Sequence, residues 1–275
     1  MAMASRLLRL YAETNEFQHV ETLRRNRQKR HKHREFFVEG VRAINQALAF
    51  GWGFKWLLYA RDRPLSDWAK DVLDRAGAEL RLELPFELLQ KLSGKEETSE
   101  LIAMVAMPAD DLARIPVRQN ARIVLFDRPA NPGNLGSIMR SCDAFGVDGV
   151  VITGHAVDLY DPETIGASMG SFFAVPAVRV ATVAEVRSWL DSLRLALARL
   201  AVVGSSAKAT LDVATCDLTR PLVLIVGNET WGMSAGYREL CDDIVTIPMR
   251  GSASSLNVAA ATSILLYEID RQRRG

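Results

Sequence analysis

Apolar residues along the chain recur in short blocks whose spacing switches between helical and strand periods. The segment "FFVEGVRAINQALAFGWGFKWLLYA" predicts a helix from about Val38 to Phe50, a break at Gly51-Trp52-Gly53 and a strand ending near Ala60. In "LSDWAKDVLDRAGAELRLEL" the residues Leu65, Trp68, Val72 and Leu73 form a helical stripe that Gly77 ends, and a short strand follows. A third unit runs through "PFELLQKLSG" to a strand at Leu101 to Met107. Together these predict a small α/β domain over 35–107. The stretch 108–120, "PADDLARIPVRQN", places two prolines and several charges between strand patterns, as a linker does. Beyond it, 121–275 predicts a larger domain, with strands at Arg122 to Phe126, Gly149 to Thr153, Ala201 to Gly204, Leu222 to Val226 and Ile244 to Ile247. Helical patterns lie between most of them, which argues for an α/β fold whose mostly parallel sheet is covered on both faces.

Composition narrows the class. With 48% hydrophobic and 24% charged residues, 275 residues suffice for two ordinary domains with buried cores. The longest apolar runs are strand-length, far short of the ~20 residues of a membrane helix. The start, Met1-Ala-Met-Ala-Ser-Arg, lacks a secretory apolar segment, so the expected location is cytoplasmic. Cys142, Cys216 and Cys241 have no close pair and no metal-ligand spacing. No disulfide scaffold and no metal site is expected, and all three are read as reduced and mostly buried. The net charge of +1 conceals an uneven distribution, because Arg24, Arg25, Arg27, Lys29, Arg30, Lys32 and Arg34 crowd together with His31 and His33. Residues 1–34 therefore read as a basic amino-terminal arm. An isolated run of this kind is a solvated helix face or a disordered arm. With only Glu35 and Glu39 interrupting it afterwards, it also suits a phosphate backbone.

The stretch "LFDRPANPGNLGSIMRSCDAFGVDGVVITG" is a strand, a glycine turn and a helix, the opening of a nucleotide site. A dinucleotide fingerprint nevertheless fails: Asn131 stands at the first glycine position and no acid ends the next strand. A phosphate loop fails as well, since "QKLSGKEETSE" has Leu89 for its first glycine and Glu96 where a magnesium-binding hydroxyl belongs. What remains is a helix starting near Asn134 and stopped by Gly146, with Leu135, Ile138, Met139 and Cys142 on its buried stripe and Arg140 off it. Two later strands run into comparable turns, "PLVLIVGNETWGMSAG" and "IVTIPMRGSASSLNVAAATSILLYEI", the second opening a helix at about Leu256. Strand C-terminal ends are where open α/β sheets place ligands. Asn134, Glu229, Ser254, Ser255 and Asn257 each have a plain reading as caps, and Arg140 as a surface charge. Three such loops in one domain exceed what capping requires.

In this order and spacing the three segments resemble the motifs of the SpoU (TrmH-type) family of RNA ribose 2'-O-methyltransferases, part of the SPOUT class, over about Ile123 to Arg271. The segment "RNRQKRHKHREFFVEGVRAINQAL" resembles the start of that family's amino-terminal RNA-binding domain, itself similar to ribosomal protein L30e. The phrases "FDRPANPGNLGSIMRS", "DLYDPET" and "IPMRGSASSLN" resemble a branch that modifies a uridine ribose of 23S ribosomal RNA and confers antibiotic resistance. The resemblance implies a deep trefoil knot, an exception to the rule of un-knotted chains, and a homodimer with the active site near the subunit interface. It implies S-adenosyl-L-methionine as cofactor and RNA as partner, ribosomal RNA first and transfer RNA as the rival within the family. Its catalytic and substrate positions fall on Asn134, Arg140, Glu229, Ser255 and Asn257, and its cofactor contacts, largely main chain, on Gly227, Ile247 and Leu256. With RNA as substrate, the cluster from Arg24 to Arg34 becomes a backbone grip. Arg140 has two readings, a base or a phosphate clamp; a guanidinium pKa above ~12 favours the clamp. A non-catalytic RNA-binding protein on the same fold is the alternative of a different class.

Overall fold

The computed structural model describes residues 5–274. Chain contacts divide it into two compact units: one runs up to Pro108 and includes Asp158–Ala174, and the other comprises Ala109–Val157 and the chain from Val175 onward.

The first unit opens with β1 (Arg6–Arg9), α1 (Asn15–Arg25) and α2 (Arg27–His33). It continues through β2 (Glu35–Glu39), α3 (Val41–Ala49), β3 (Phe54–Ala60), α4 (Asp67–Arg75), β4 (Leu80–Leu84), α5 (Phe86–Leu92) and β5 (Leu101–Ala106). Its sheet has the order β1-β4-β3-β5-β2, with β1, β4 and β3 parallel and β5 antiparallel to both its neighbours. The expected helix from Val38 begins instead at Val41. Phe36, Phe37 and Val38 are all buried in β2, and a strand covered on both faces shows no alternation by which sequence could tell it from a helix. Gly40, at φ +104°, makes the corner between the two.

The basic block is not a free arm. Helix α1 buries Phe17, Val20 and Leu23 in the same core as Leu58, Leu82 and Met104. Asn26 caps α2 by accepting the Lys29 N–H at 3.1 Å, and Arg34 ends it in the left-handed region at φ +59°.

The second unit contains β6 (Arg122–Asp127), α6 (Pro132–Ala144) and β7 (Gly149–Thr153). Next in the chain comes α7 (Pro162–Ala167), which groups with the first unit. The second unit then resumes with β8 (Ala177–Val180), α8 (Val183–Ala196), β9 (Ala201–Ser205), β10 (Leu211–Asp212), β11 (Leu222–Val226), α9 (Ala235–Arg238), β12 (Asp243–Thr246) and α10 (Val258–Arg274). All pairings in its seven-stranded sheet are parallel, in the order β10-β12-β9-β11-β6-β7-β8. The chain moves outward from β6 to β8 and then returns to the far side of β11, which creates the reversal point at which such sheets hold ligands. Leu135, Ile138, Met139 and Cys142 are fully buried, so α6 faces the core as its spacing predicts. Its cap is Asn131 rather than a residue at Asn134: the Asn131 side chain accepts the Asn134 N–H at 2.8 Å, and Pro132 supplies the first turn. Helices α6 and α10 meet at a Ser141–Ser263 hydroxyl contact of 2.7 Å.

The segment Asp158–Ala174 lies within the 121–275 domain drawn from sequence, yet its contacts are with the first unit. Tyr160, Phe172 and Phe173 pack with Phe36 and Trp52, at ring centroid separations from 5.0 to 6.3 Å. The Trp52 indole donates to the Phe173 carbonyl at 3.0 Å. Among the described residues no helix is long and apolar enough to cross a membrane.

Candidate active site

Two loops of the second unit, following the adjacent strands β6 and β11, are stitched together by polar groups, of which Asp127 is buried and Arg128 and Asn228 are half-buried. Asp127, at the end of β6, is 1% exposed, and its carboxylate accepts from Arg128 Nε at 2.9 Å and from the Ser234 N–H at 2.8 Å. That carboxylate raises the Arg128 pKa, and the guanidinium reaches on to the Gly232 carbonyl at 3.2 Å. The Asn228 amide donates to the Arg128 carbonyl at 2.7 Å, while its oxygen accepts from the Thr230 and Trp231 N–H groups at 2.9 and 3.0 Å. Asn228 and Gly232 also exchange backbone hydrogen bonds, closing a five-residue turn. Gly227 is the tight point of this turn. A Cβ there would sit 2.1 Å from the Met233 nitrogen, so no side chain fits without moving backbone.

The closed turn aims Glu229 at the start of α6. Its carboxylate accepts from the Ala130 N–H at 2.9 Å, the Asn131 N–H at 3.1 Å and Asn134 Nδ2 at 3.3 Å. Glu229 thus serves the loop before α6 and not its own turn, with its negative charge at the favourable end of the helix. Asn134 in turn accepts from Asn257 Nδ2 at 3.0 Å, and Asn257 Oδ1 takes the Ala259 N–H at 2.8 Å at the start of α10. The relay Glu229–Asn134–Asn257 therefore joins all three loops singled out from sequence. It also fixes the Asn134 amide, which donates to an acid and accepts from an amide.

Beside this relay lies a cavity of about 390 Å³ whose walls include Gly227, Glu229, Ile247, Ser255 and Leu256. Ser205 at the end of β9, Ser206 and Lys208 after it, Trp231, Arg238 and Met249 also line it, and sequence reasoning did not single these out. The signal for Ser205 to Lys208 was a polar run at a strand's C-terminal end, but it carries no glycine. Arg140 lies six residues beyond Asn134 on α6, a rise of about 9 Å, off the cavity wall. It is exposed and forms no hydrogen bond or ion pair among the described residues. The structure thus brings Asn134, Glu229 and Asn257 together, places Ser255 on the cavity and leaves Arg140 facing solvent.

The residues proposed to grip RNA divide in the first unit. Arg30 is buried, 2% exposed at the side chain, and pairs with Asp158 at 2.7 Å and Asp161 at 3.2 Å. It also donates to the Leu23 and Arg24 carbonyls at 2.8 and 2.9 Å. A guanidinium with its donors committed inside the protein has none for a phosphate, so Arg30 is corrected from an RNA contact to a structural anchor. Arg24 donates to the Leu92 carbonyl at 3.0 Å, Arg25 pairs with Glu21 at 3.2 Å, and Arg34 donates to the Pro108 carbonyl. Arg27, Lys29 and Lys32 are exposed on α2.

The three thiols are free, and burial raises the pKa of each; Cys241 is pushed up to about 11. None is poised as a nucleophile.

The chain is similar to several known proteins. The SpoU rRNA methylase family model matches residues 121–267, and the SpoU L30e-like domain model matches residues 14–103. The chain belongs to the SpoU rRNA methylase family. A 23S rRNA (uridine(2479)-2'-O)-methyltransferase of Streptomyces viridochromogenes is 46% identical over 96% of this chain and 92% of its own length. The crystal structure of the SpoU methyltransferase AviRb from the same organism, in complex with the cofactor AdoMet, superposes with a TM-score of 0.88 over 95% of this chain and 99% of that one. An AdoMet-bound rRNA methyltransferase from Sinorhizobium meliloti, 29% identical, gives 0.85 over 96% and 98%. The L30e-like match begins at residue 14, so it takes in helices α1 and α2 and with them the basic block.

Proposed function

We propose that the protein is an S-adenosyl-L-methionine-dependent methyltransferase that modifies a ribose 2'-hydroxyl of 23S ribosomal RNA. The observation that carries this reading is the Glu229–Asn134–Asn257 relay at the edge of the cavity holding Gly227, Ile247 and Leu256. The cavity fits the cofactor in kind: its walls are turns after β9, β11 and β12, rich in main-chain donors and acceptors and aliphatic side chains, and the turn at Gly227 leaves no room for a Cβ. Gly227, Ile247 and Leu256 would hold the adenosyl group. When bound, S-adenosylmethionine supplies a methyl already activated on a sulfonium.

The work of the chain is then to align the acceptor oxygen and ease the loss of its proton. Asn134, held between an acid and an amide, presents a fixed amide to the ribose; Asn257 and Ser255 complete that face, and Glu229 sets the orientation of Asn134. Arg140, with its donors free, grips the phosphate beside the target ribose and lowers the 2'-hydroxyl pKa electrostatically, which suits a guanidinium better than proton removal does. In this reading the protein acts in the cytoplasm as a homodimer built on a knotted sheet, and Arg140 reaches the site close to the subunit interface. The methyl group, placed in a ribosomal drug site, lowers antibiotic sensitivity. Replacing Arg140 by Ala is expected to abolish methyl transfer to RNA while calorimetry finds cofactor affinity nearly intact; undiminished turnover would remove Arg140 from the mechanism.

A further inference from the structure

The basic block read from sequence is partly spent within the fold, but the first unit carries another concentration of arginine and aromatic side chains. It lies at the C-terminal ends of the parallel strands β1, β4 and β3, around a cavity of about 490 Å³ lined by Arg9, Tyr11, Tyr59, Arg61, Arg63 and Glu83 among others. The Arg61 guanidinium lies 4.3 Å from the centre of the Tyr11 ring, and Arg63 lies 4.3 Å from that of Phe86. Neither guanidinium forms a hydrogen bond or ion pair among the described residues, so both present a full set of donors, backed by a ring that limits their rotation.

The acids nearby are committed. Glu83 accepts from Arg9 Nε at 2.7 Å and from the Tyr59 hydroxyl at 2.9 Å, and Asp62 accepts the Phe86 N–H at 2.9 Å. Tyr11 is 69% exposed, which leaves a ring face open for stacking. Guanidinium groups with free donors beside an open aromatic face are what binds an unpaired nucleotide: charge for its phosphate and a π-surface for its base.

We infer that this cavity is a second RNA contact, taking one unpaired nucleotide of the substrate with its phosphate on Arg61 and Arg63 and its base on the open face of Tyr11. The inference rests on the RNA methyltransferase reading above and adds to it a place where the substrate is gripped away from the reacting ribose. The site anchors and does not react, so its loss is felt in substrate affinity and not in turnover.

The test uses the full chain and an unmodified transcript of 23S ribosomal RNA. The double variant R61A/R63A is expected to raise the KM for the transcript about tenfold and to flatten the slope of log affinity against log salt by about 0.7, for one phosphate contact on a single strand. Its kcat at saturating RNA and its S-adenosylmethionine affinity should match the wild type. Tyr11→Ala should raise KM about tenfold, while Tyr11→Phe, which keeps the stacking face, should stay near the wild type. The control R187A/R199A, two exposed arginines of the second unit, should change KM less than twofold. Methylation by R61A/R63A with unchanged KM and salt slope overturns this site and leaves the parent reading standing. A wild-type protein that methylates no RNA overturns both.

Discussion

Arg30 separates a structural role from a substrate role, and its replacement has a calculable effect. In the Arg30→Met variant, the Asp158 carboxylate, 4% exposed, loses both guanidinium contacts, at 2.8 and 2.7 Å, and keeps the Tyr160 N–H and His31 Nε2, each at 3.2 Å. The Leu23 and Arg24 carbonyls lose a donor as well. Breaking one side of a buried pair leaves an uncompensated charge and costs about 3–5 kcal/mol. Because α2 and the segment carrying Asp158 are joined here, the loss should be read in the first unit. Urea unfolding followed by the emission of Trp52, which is anchored to Phe173 in the same segment, measures it. A second substitution, Asp158→Leu, should recover part of the loss when combined with Arg30→Met, with a coupling of about 2 kcal/mol. The folded fraction of Arg30→Met should bind RNA with the wild-type salt slope. A loss below about 1 kcal/mol together with a reduced salt slope would return Arg30 to the RNA surface.

Asn134→Ala cuts the link between Glu229 and Asn257; turnover on RNA should fall about a hundredfold or more, a loss of the scale seen when one aligned polar group is removed from an active site, with cofactor affinity within a few fold by calorimetry. Gly227→Ala forces a Cβ to within 2.1 Å of the Met233 nitrogen, so the turn must open and calorimetric binding of S-adenosylmethionine should be lost. The Tyr59 hydroxyl is pushed up to about 12, first by burial and then by donation to Glu83. The fold thus favours the neutral phenol: its contribution is complete below the unfolded value of 10.0, is lost as pH rises towards 12, and Tyr59→Phe should flatten stability curves over that window. With all three thiol pKa values raised by burial, a disulfide reagent near neutral pH should modify none of them rapidly in the native protein and all of them after unfolding.

Much of the second unit was legible because its strands are uniformly apolar and its helices carry clear stripes. Leu135, Ile138, Met139 and Cys142 are buried as their spacing requires, and the strands expected at Gly149 and Leu222 lie where the runs begin. The strands β1, β8 and β10 escaped notice because two to four residues cannot display a period. Phe36 to Val38 misled for the opposite reason, since a strand buried on both faces looks like a continuous apolar run. The three loops were recognisable as strand ends rich in polar turn residues, but their mutual pairing was not. That Glu229 serves α6 depends on contacts across roughly a hundred residues of chain, whereas the Asn131 cap is local and differs from the expected start at Asn134 by only three positions. The fate of Arg30 was hidden likewise, because its partner Asp158 lies 128 positions away and nothing in a basic run marks which cation will be enclosed.

The most direct test incubates the purified protein with S-adenosylmethionine and 23S ribosomal RNA from a strain lacking the gene, then maps methyl groups by mass spectrometry after alkaline hydrolysis. A 2'-O-methyl blocks cleavage at its own phosphate, so the account predicts a single methylated, alkali-resistant dinucleotide from the large-subunit RNA, absent with Arg140→Ala. A methyl found on a base, or on transfer RNA alone, would contradict it.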